Sequence, residues 1–165
     1  MGEFAVTANA GDVLTTIGLG SCVGIALLDP KRRVAGLAHV MFPFAPDGDV
    51  ALPGKYADTA VGALIAALCE LGARAGALAA VLTGGARMFT FDRAAGGDIG
   101  ARNVAAAEHA LAGAGIPIRA SATGGITGRS IRVRAGDGVV RVREAGTEAE
   151  LYRPPGAPDQ AGDGR

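Results

Sequence analysis

Apolar and polar positions alternate along this chain in two rhythms, one suited to strands and one to helices. From Val13 to Ile17 and from Cys22 to Leu28 the residues are β-branched or apolar, and Gly-Leu-Gly-Ser at 18–21 separates the runs. Two strands joined by a turn or bulge are predicted. Asp29 to Arg33 supply proline and charge for a turn, and residues 34–42 form the returning strand of a hairpin. The next stretch, 43–54, holds three prolines and two glycines and reads as a surface loop. Spacing by three and four at Val61, Leu64, Ile65, Leu68 and Leu71 then predicts a helix over 57–71, stopped by Gly72. A second helix runs from Ile99 to about Ala114, with Asp98 as its N-cap and Val104, Ala107 and Leu111 on one face. Strand-like segments follow each helix, at 77–83 and 116–123. Residues 129–135 and 138–144 alternate apolar residues with arginine around Gly-Asp-Gly, which predicts a hairpin with its arginine face in solvent.

Strands in runs with two intervening helices define an α+β fold, a layered sandwich of mostly antiparallel sheet with two main helices. Residues 1–150 are expected to form a single domain, and 151–165, poor in apolar residues, a disordered tail. Composition narrows the picture further. Glycine accounts for 27 of the 165 residues, interleaved with valine, isoleucine and leucine, so tight turns and closely approaching layers are expected. The 16 basic residues balance the 16 acidic ones, which disfavours nucleic acid or an anionic membrane as a partner. Met1-Gly2-Glu3-Phe4 does not begin a signal peptide, and the charge-free run from Val13 to Leu28 is too short and too glycine-rich to span a bilayer. A cytoplasmic location without membrane insertion is expected. Two cysteines 47 positions apart match neither a disulfide framework nor a zinc spacing, so no metal is expected.

Chemistry concentrates where the first hairpin opens. His39 interrupts an otherwise apolar strand. Taken alone, such a histidine is most simply a buried side chain satisfied by a carbonyl. A turn centred between Pro30 and Lys31, however, places Cys22 directly opposite His39 on one sheet face. A slip of one residue would send them to opposite faces. A thiol beside an imidazole supports nucleophilic acyl transfer, because the imidazolium lowers the thiol pKa and supplies thiolate. Gly18, Gly20 and Ser21 let backbone N–H groups, that of Cys22 included, point at a developing oxyanion. Thr16 is a weaker candidate for orienting the imidazole. Cys69, among alanines and leucines, reads as core packing, and His109 as a surface residue opposite the apolar face of its helix. The glycine pairs in residues 83–89 and 123–129 lack a phosphate-loop context and read as structural turns, with Arg87 and Arg129 beside them free to face a partner.

The segments TTIGLGSCVGIALLDP, GLAHVMFP, KYADTAVGALIAAL, GGARMF, IGARNV, GIPI and TGGITGR stand in an order and spacing that resemble the chemoreceptor glutamine deamidase family, CheD. The resemblance covers residues from about Val13 to Arg143, and its most diagnostic part is GLGSCV followed, 17 residues after the cysteine, by histidine in AHVMFP. It implies Cys22 as nucleophile, His39 as base and acid, and Thr16 as the orienting third member. It further implies an α/β/β layered fold and hydrolysis of glutamine side chains in methyl-accepting chemotaxis receptors without any cofactor. The implied partners are the receptors' cytoplasmic helices and a CheC-type phosphatase. Phe42, Arg87 and Ala101 depart from the family pattern, and none is a reacting group. Two other readings stand beside this one: another thiol amidohydrolase, and a non-catalytic adaptor that binds the receptors or the phosphatase.

Overall fold

The computed structural model describes residues 2–47, 51–88 and 98–158. Among the described residues nine strands and two α-helices follow one another: β1 (Phe4–Thr7), β2 (Val13–Leu19), β3 (Val23–Asp29), β4 (Val34–Val40), α1 (Ala57–Glu70), β5 (Ala79–Gly84), α2 (Ile99–Gly113), β6 (Ile118–Thr123), β7 (Arg129–Arg134), β8 (Val140–Glu144) and β9 (Thr147–Tyr152). They form a five-stranded sheet in the order β1-β4-β3-β5-β6 and a four-stranded sheet in the order β2-β7-β8-β9. Every pairing is antiparallel except β5 with β6. This is the α+β sandwich expected from the pattern.

Strand β3 lies at the centre of the larger sheet, and all seven of its residues are buried, as are those of β4 and β5. Burial on both faces explains why these segments read as unbroken apolar runs instead of alternating. Val23, Ile25 and Leu27 join Leu64 and Leu68 of α1 and Leu111 of α2 in one core layer. Ala26, Leu28 and Leu37 meet Ile131, Val133 and Val140 of the smaller sheet in the other. The order of layers is helices, five-stranded sheet, four-stranded sheet.

Both helices lie where the periodicity placed them. Asp98 caps α2, its carboxylate accepting from the Ala101 amide at 3.2 Å, and Ala107 and Leu111 are fully buried. On α1 the inward stripe is Ala57, Ala60, Val61, Leu64 and Leu68. Cys69 falls one residue past Leu68, about 100° around the helix, and is exposed, which corrects its reading as core. Leu71, in phase with Leu64 and Leu68 but past the end of α1 as its C-cap, is 40% exposed.

Two strands had no counterpart in the pattern. β1 is four residues long, and β9 carries two glutamates and an alanine as an exposed edge strand. β9 ends at Tyr152, inside the segment expected to be tail; residues 159–165 of that segment lie outside the described residues.

Candidate active site

The site sits where β2 and β3 meet. A β-bulge interrupts the pairing of β2 with β7 between Thr16 and Leu19. Thr16 pairs with Ile131 and Leu19 with Arg129, so the extra residue turns two positions of unlike parity, Thr16 and Leu19, toward the same interior. The chain then makes a tight turn in which the Gly20 amide donates to the Gly18 carbonyl at 3.0 Å. Ser21 and Cys22 follow before β3 begins.

His39, on β4, lies opposite Gly24 and not opposite Cys22. The register is two residues away from the expected one. The reason is the turn: Arg32 N donates to Asp29 O at 3.1 Å and Arg33 adopts a left-handed φ of 56°, so the loop needs all of residues 30–33. A two-residue offset preserves the face, because side-chain direction repeats every two residues. Gly24, Ala26 and Leu28 of β3 and Ala35, Leu37 and His39 of β4 all face the smaller sheet. Cys22, half-buried, packs against that same interlayer core. The thiol and the imidazole thus share one layer in a diagonal relation, and not the direct one.

The third candidate reaches the histidine from the other sheet. Thr16 Oγ1 lies 2.7 Å from His39 Nδ1, a hydrogen bond between the two layers. With Nδ1–H donating to the hydroxyl, Nε2 carries the lone pair that a general base requires. Nε2 is buried and has no hydrogen-bond partner among the described residues. A cleft of about 480 Å³, lined in part by Glu3, Phe4, Thr16, Leu37 and His39, borders this pair.

Burial pushes the Cys22 thiol above its ordinary 9.0 and holds the His39 imidazole below 6.5. Desolvation penalises the charged form of each. Each shift favours the uncharged form, so burial works against an imidazolium-stabilised thiolate and toward a neutral thiol beside a neutral imidazole. Such a pair can act only if the proton moves as the sulfur attacks.

The glycine turns singled out as structural do brace this site. Gly85 N donates to Cys22 O at 2.8 Å and Ala86 N to Gly20 O at 2.7 Å, while Arg87 N donates to Gly125 O and Gly124 N to Gly84 O, both at 2.9 Å. The carbonyls at 20 and 22 are thereby pinned from one side. The Ser21 and Cys22 amides take no part in those bonds. Arg129 does not face a partner: it is 9% exposed, donates to Gly124 O at 2.7 Å and pairs with Glu144 at 2.9 Å. Its place on β7, in phase with inward Ile131 and Val133, explains the burial. Arg87 is exposed beside a cavity of about 390 Å³ next to these turns, and His109 is exposed as expected. Sequence reasoning missed Asn103, a buried amide on α2. Its only signal was a polar residue at a helix position otherwise suited to the core. Among the described residues no group of three or more His, Cys, Asp or Glu gathers as a metal site would require.

A half-buried cysteine at the end of a braced turn, facing the same layer as a histidine bonded to a threonine, has the groups that thiol-dependent acyl transfer calls for. Comparison with known proteins narrows the class. The family model described as CheD chemotactic sensory transduction matches residues 41–144, beginning two residues past His39. A Thermotoga maritima protein named chemoreceptor glutamine deamidase CheD is 43% identical over 151 residues, 92% of this chain and 93% of its own length. Proteins named as probable chemoreceptor glutamine deamidases from Geobacillus kaustophilus and Geobacter metallireducens are 45% and 47% identical, over 84% and 79% of this chain and 87% and 83% of their own lengths. This chain belongs to the CheD family.

Proposed function

We propose that this protein is a chemoreceptor glutamine deamidase that converts selected glutamine side chains of methyl-accepting chemotaxis receptors to glutamate. The observation that carries the mechanism is the 2.7 Å Thr16–His39 bond, with Cys22 and His39 directed into the same layer. As the Cys22 sulfur attacks the carboxamide carbon, its proton passes to His39 Nε2. The oxyanion rests on the amides of Ser21 and Cys22. The imidazolium then protonates the departing nitrogen, ammonia leaves, and a γ-glutamyl thioester remains. His39 next takes a proton from water, whose oxygen attacks the thioester. Breakage of the C–S bond releases glutamate, and the thiol recovers its proton. No metal or organic cofactor takes part.

The substrate is itself a protein, and apolar side chains stand exposed on the segments around the turn. Ile17 and Ile126 are 71% and 73% exposed. Met88, whose side chain packs over Gly20, is 45% exposed. These residues suit a helical receptor segment, and the same surface would serve a CheC-type phosphatase. Both partners fit a cytoplasmic enzyme; no helix among the described residues is long and apolar enough to cross a membrane.

Peptide mapping by mass spectrometry of receptor incubated with the enzyme tests the reading. Deamidation adds about one dalton at an intact glutamine, because NH2 is replaced by OH. A cut chain or an added amine would point to another thiol amidohydrolase, and an unchanged receptor to an adaptor.

Two further results are expected. The pH profile of kcat/KM should be a broad bell: the acid limb lies below pH 6.5, where a desolvated imidazole finally gains a proton, and the alkaline limb above 9.0, where the thiol loses one. A thiolate detected at neutral pH by its ultraviolet absorbance would contradict the neutral pair. Replacing Thr16 with valine keeps the shape but deletes the orienting bond. One such bond is worth about 0.5–1.5 kcal/mol, so kcat should fall by roughly two- to thirteenfold, with serine at this position restoring most of it.

A further inference from the structure

The β3–β4 ladder ends at Val23 and Val40, before it reaches the turn that carries Cys22. What joins the two segments beyond that point comes from neither strand. Asn103, fully buried on α2, donates from its single Nδ2 to Ser21 O at 2.9 Å and to Met41 O at 3.0 Å. One acceptor belongs to the residue before the nucleophile, the other to the residue two past the base.

Two carbonyl oxygens cannot bond to each other. A group with two N–H donors on one atom, placed between them, satisfies both, and a side-chain amide is the neutral group that does so. Helix α2 comes close enough to deliver it because residue 100, one turn earlier, is glycine; a Cβ there would lie 2.5 Å from Gly85 O. The arrangement is costly in another respect. Asn103 Oδ1 is buried without a hydrogen-bond partner among the described residues, where an apolar side chain would incur no such penalty.

We infer that Asn103 is a positioning residue for the reaction: its two hydrogen bonds extend the β3–β4 pairing past its last rung and hold the Cys22 turn in register with the strand that carries His39. The inference rests on the reading of Cys22 and His39 as the reacting pair. Ordinary packing would fix the position of a helix. A bidentate link between the two reacting segments fixes the distance between their side chains.

The test compares kcat and KM for receptor deamidation in Asn103→Ala and Asn103→Ser, assayed well below each variant's melting temperature. Leu111→Ala, a buried truncation on the same helix, serves as the control for general loosening. Misplacement by about 1 Å can cost on the order of a hundredfold in rate, so Asn103→Ala should lose about that factor in kcat with KM changed by no more than about twofold. Asn103→Ser, which keeps one donor, should recover part of the loss, and folded Leu111→Ala should keep near-normal kcat. The inference is overturned if folded Asn103→Ala retains wild-type kcat, if Leu111→Ala loses as much, or if neither Asn103 variant folds, since the bonds would then serve the fold alone. Cys22→Ala in the same assay separates the two levels: if it is active, the assignment of the nucleophile fails, whatever the Asn103 variants do.

Discussion

Cys22→Ala should abolish deamidation, by at least about a thousandfold in kcat, while leaving thermal stability nearly unchanged. Loss of a covalent nucleophile commonly costs several orders of magnitude, because no other group in the site forms the acyl intermediate. The structural cost is small. The side chain is half-buried at the edge of the interlayer core, and the truncation removes only its sulfur atom. Ammonia release from receptor and a thermal melt, measured on the same preparation, check both halves. Appreciable ammonia release by the variant would remove the thiol from the mechanism. A large fall in melting temperature would show that Cys22 supports the core more than its exposure indicates.

Gly84→Ala should damage stability and activity together. Gly84 closes β5 at φ +100°, a conformation that side-chain-bearing residues rarely adopt, and an added Cβ would overlap the Cys22 carbonyl oxygen. Backbone strain of this kind costs about 1–3 kcal/mol, and in a domain of this size each kcal/mol lowers the melting temperature by roughly 2–4 °C. Relief of the overlap requires the Cys22 carbonyl to move, and the nucleophile moves with it. A displacement near 1 Å is again worth about a hundredfold in rate. Gly62→Ala provides a comparison of opposite sign. Gly62 is exposed in the middle of α1, and an added Cβ there meets nothing within 4 Å. That substitution should raise stability by up to about 1 kcal/mol and leave turnover alone.

Much of this architecture was legible in the letters because burial writes itself into periodicity. The two helices carry their apolar residues at the spacing of a helix, the central strands are short apolar runs bounded by turn residues, and the Asp98 cap was readable from its position just ahead of the second helix. What escaped has a physical cause in each case. The hairpin register depended on Arg33 adopting a left-handed conformation, a choice made by the closed turn and not by residue type. β9 is polar enough to resemble a loop, and its pairing with β8 makes it a strand. Cys69 and Arg129 were misjudged because composition around a residue says little about the direction of its side chain. The candidate site was legible at the level of residue identity, through Cys22, His39 and the glycine-rich turn. The direction in which burial shifts the two groups was not, since desolvation is a property of the assembled layers. Asn103 contacts residues 62 and 82 positions away, beyond any local pattern.

Thr16 and His39 belong to different sheets, and the contact between those sheets is largely apolar. Close-packed apolar layers fix the spacing of the sheets but supply no directional tie of their own. The Thr16–His39 bond supplies such a tie at the site, and the Arg129–Gly124 bond another beside it. The direction of the imidazole accordingly depends on how the two sheets seat against each other, and on neither sheet alone.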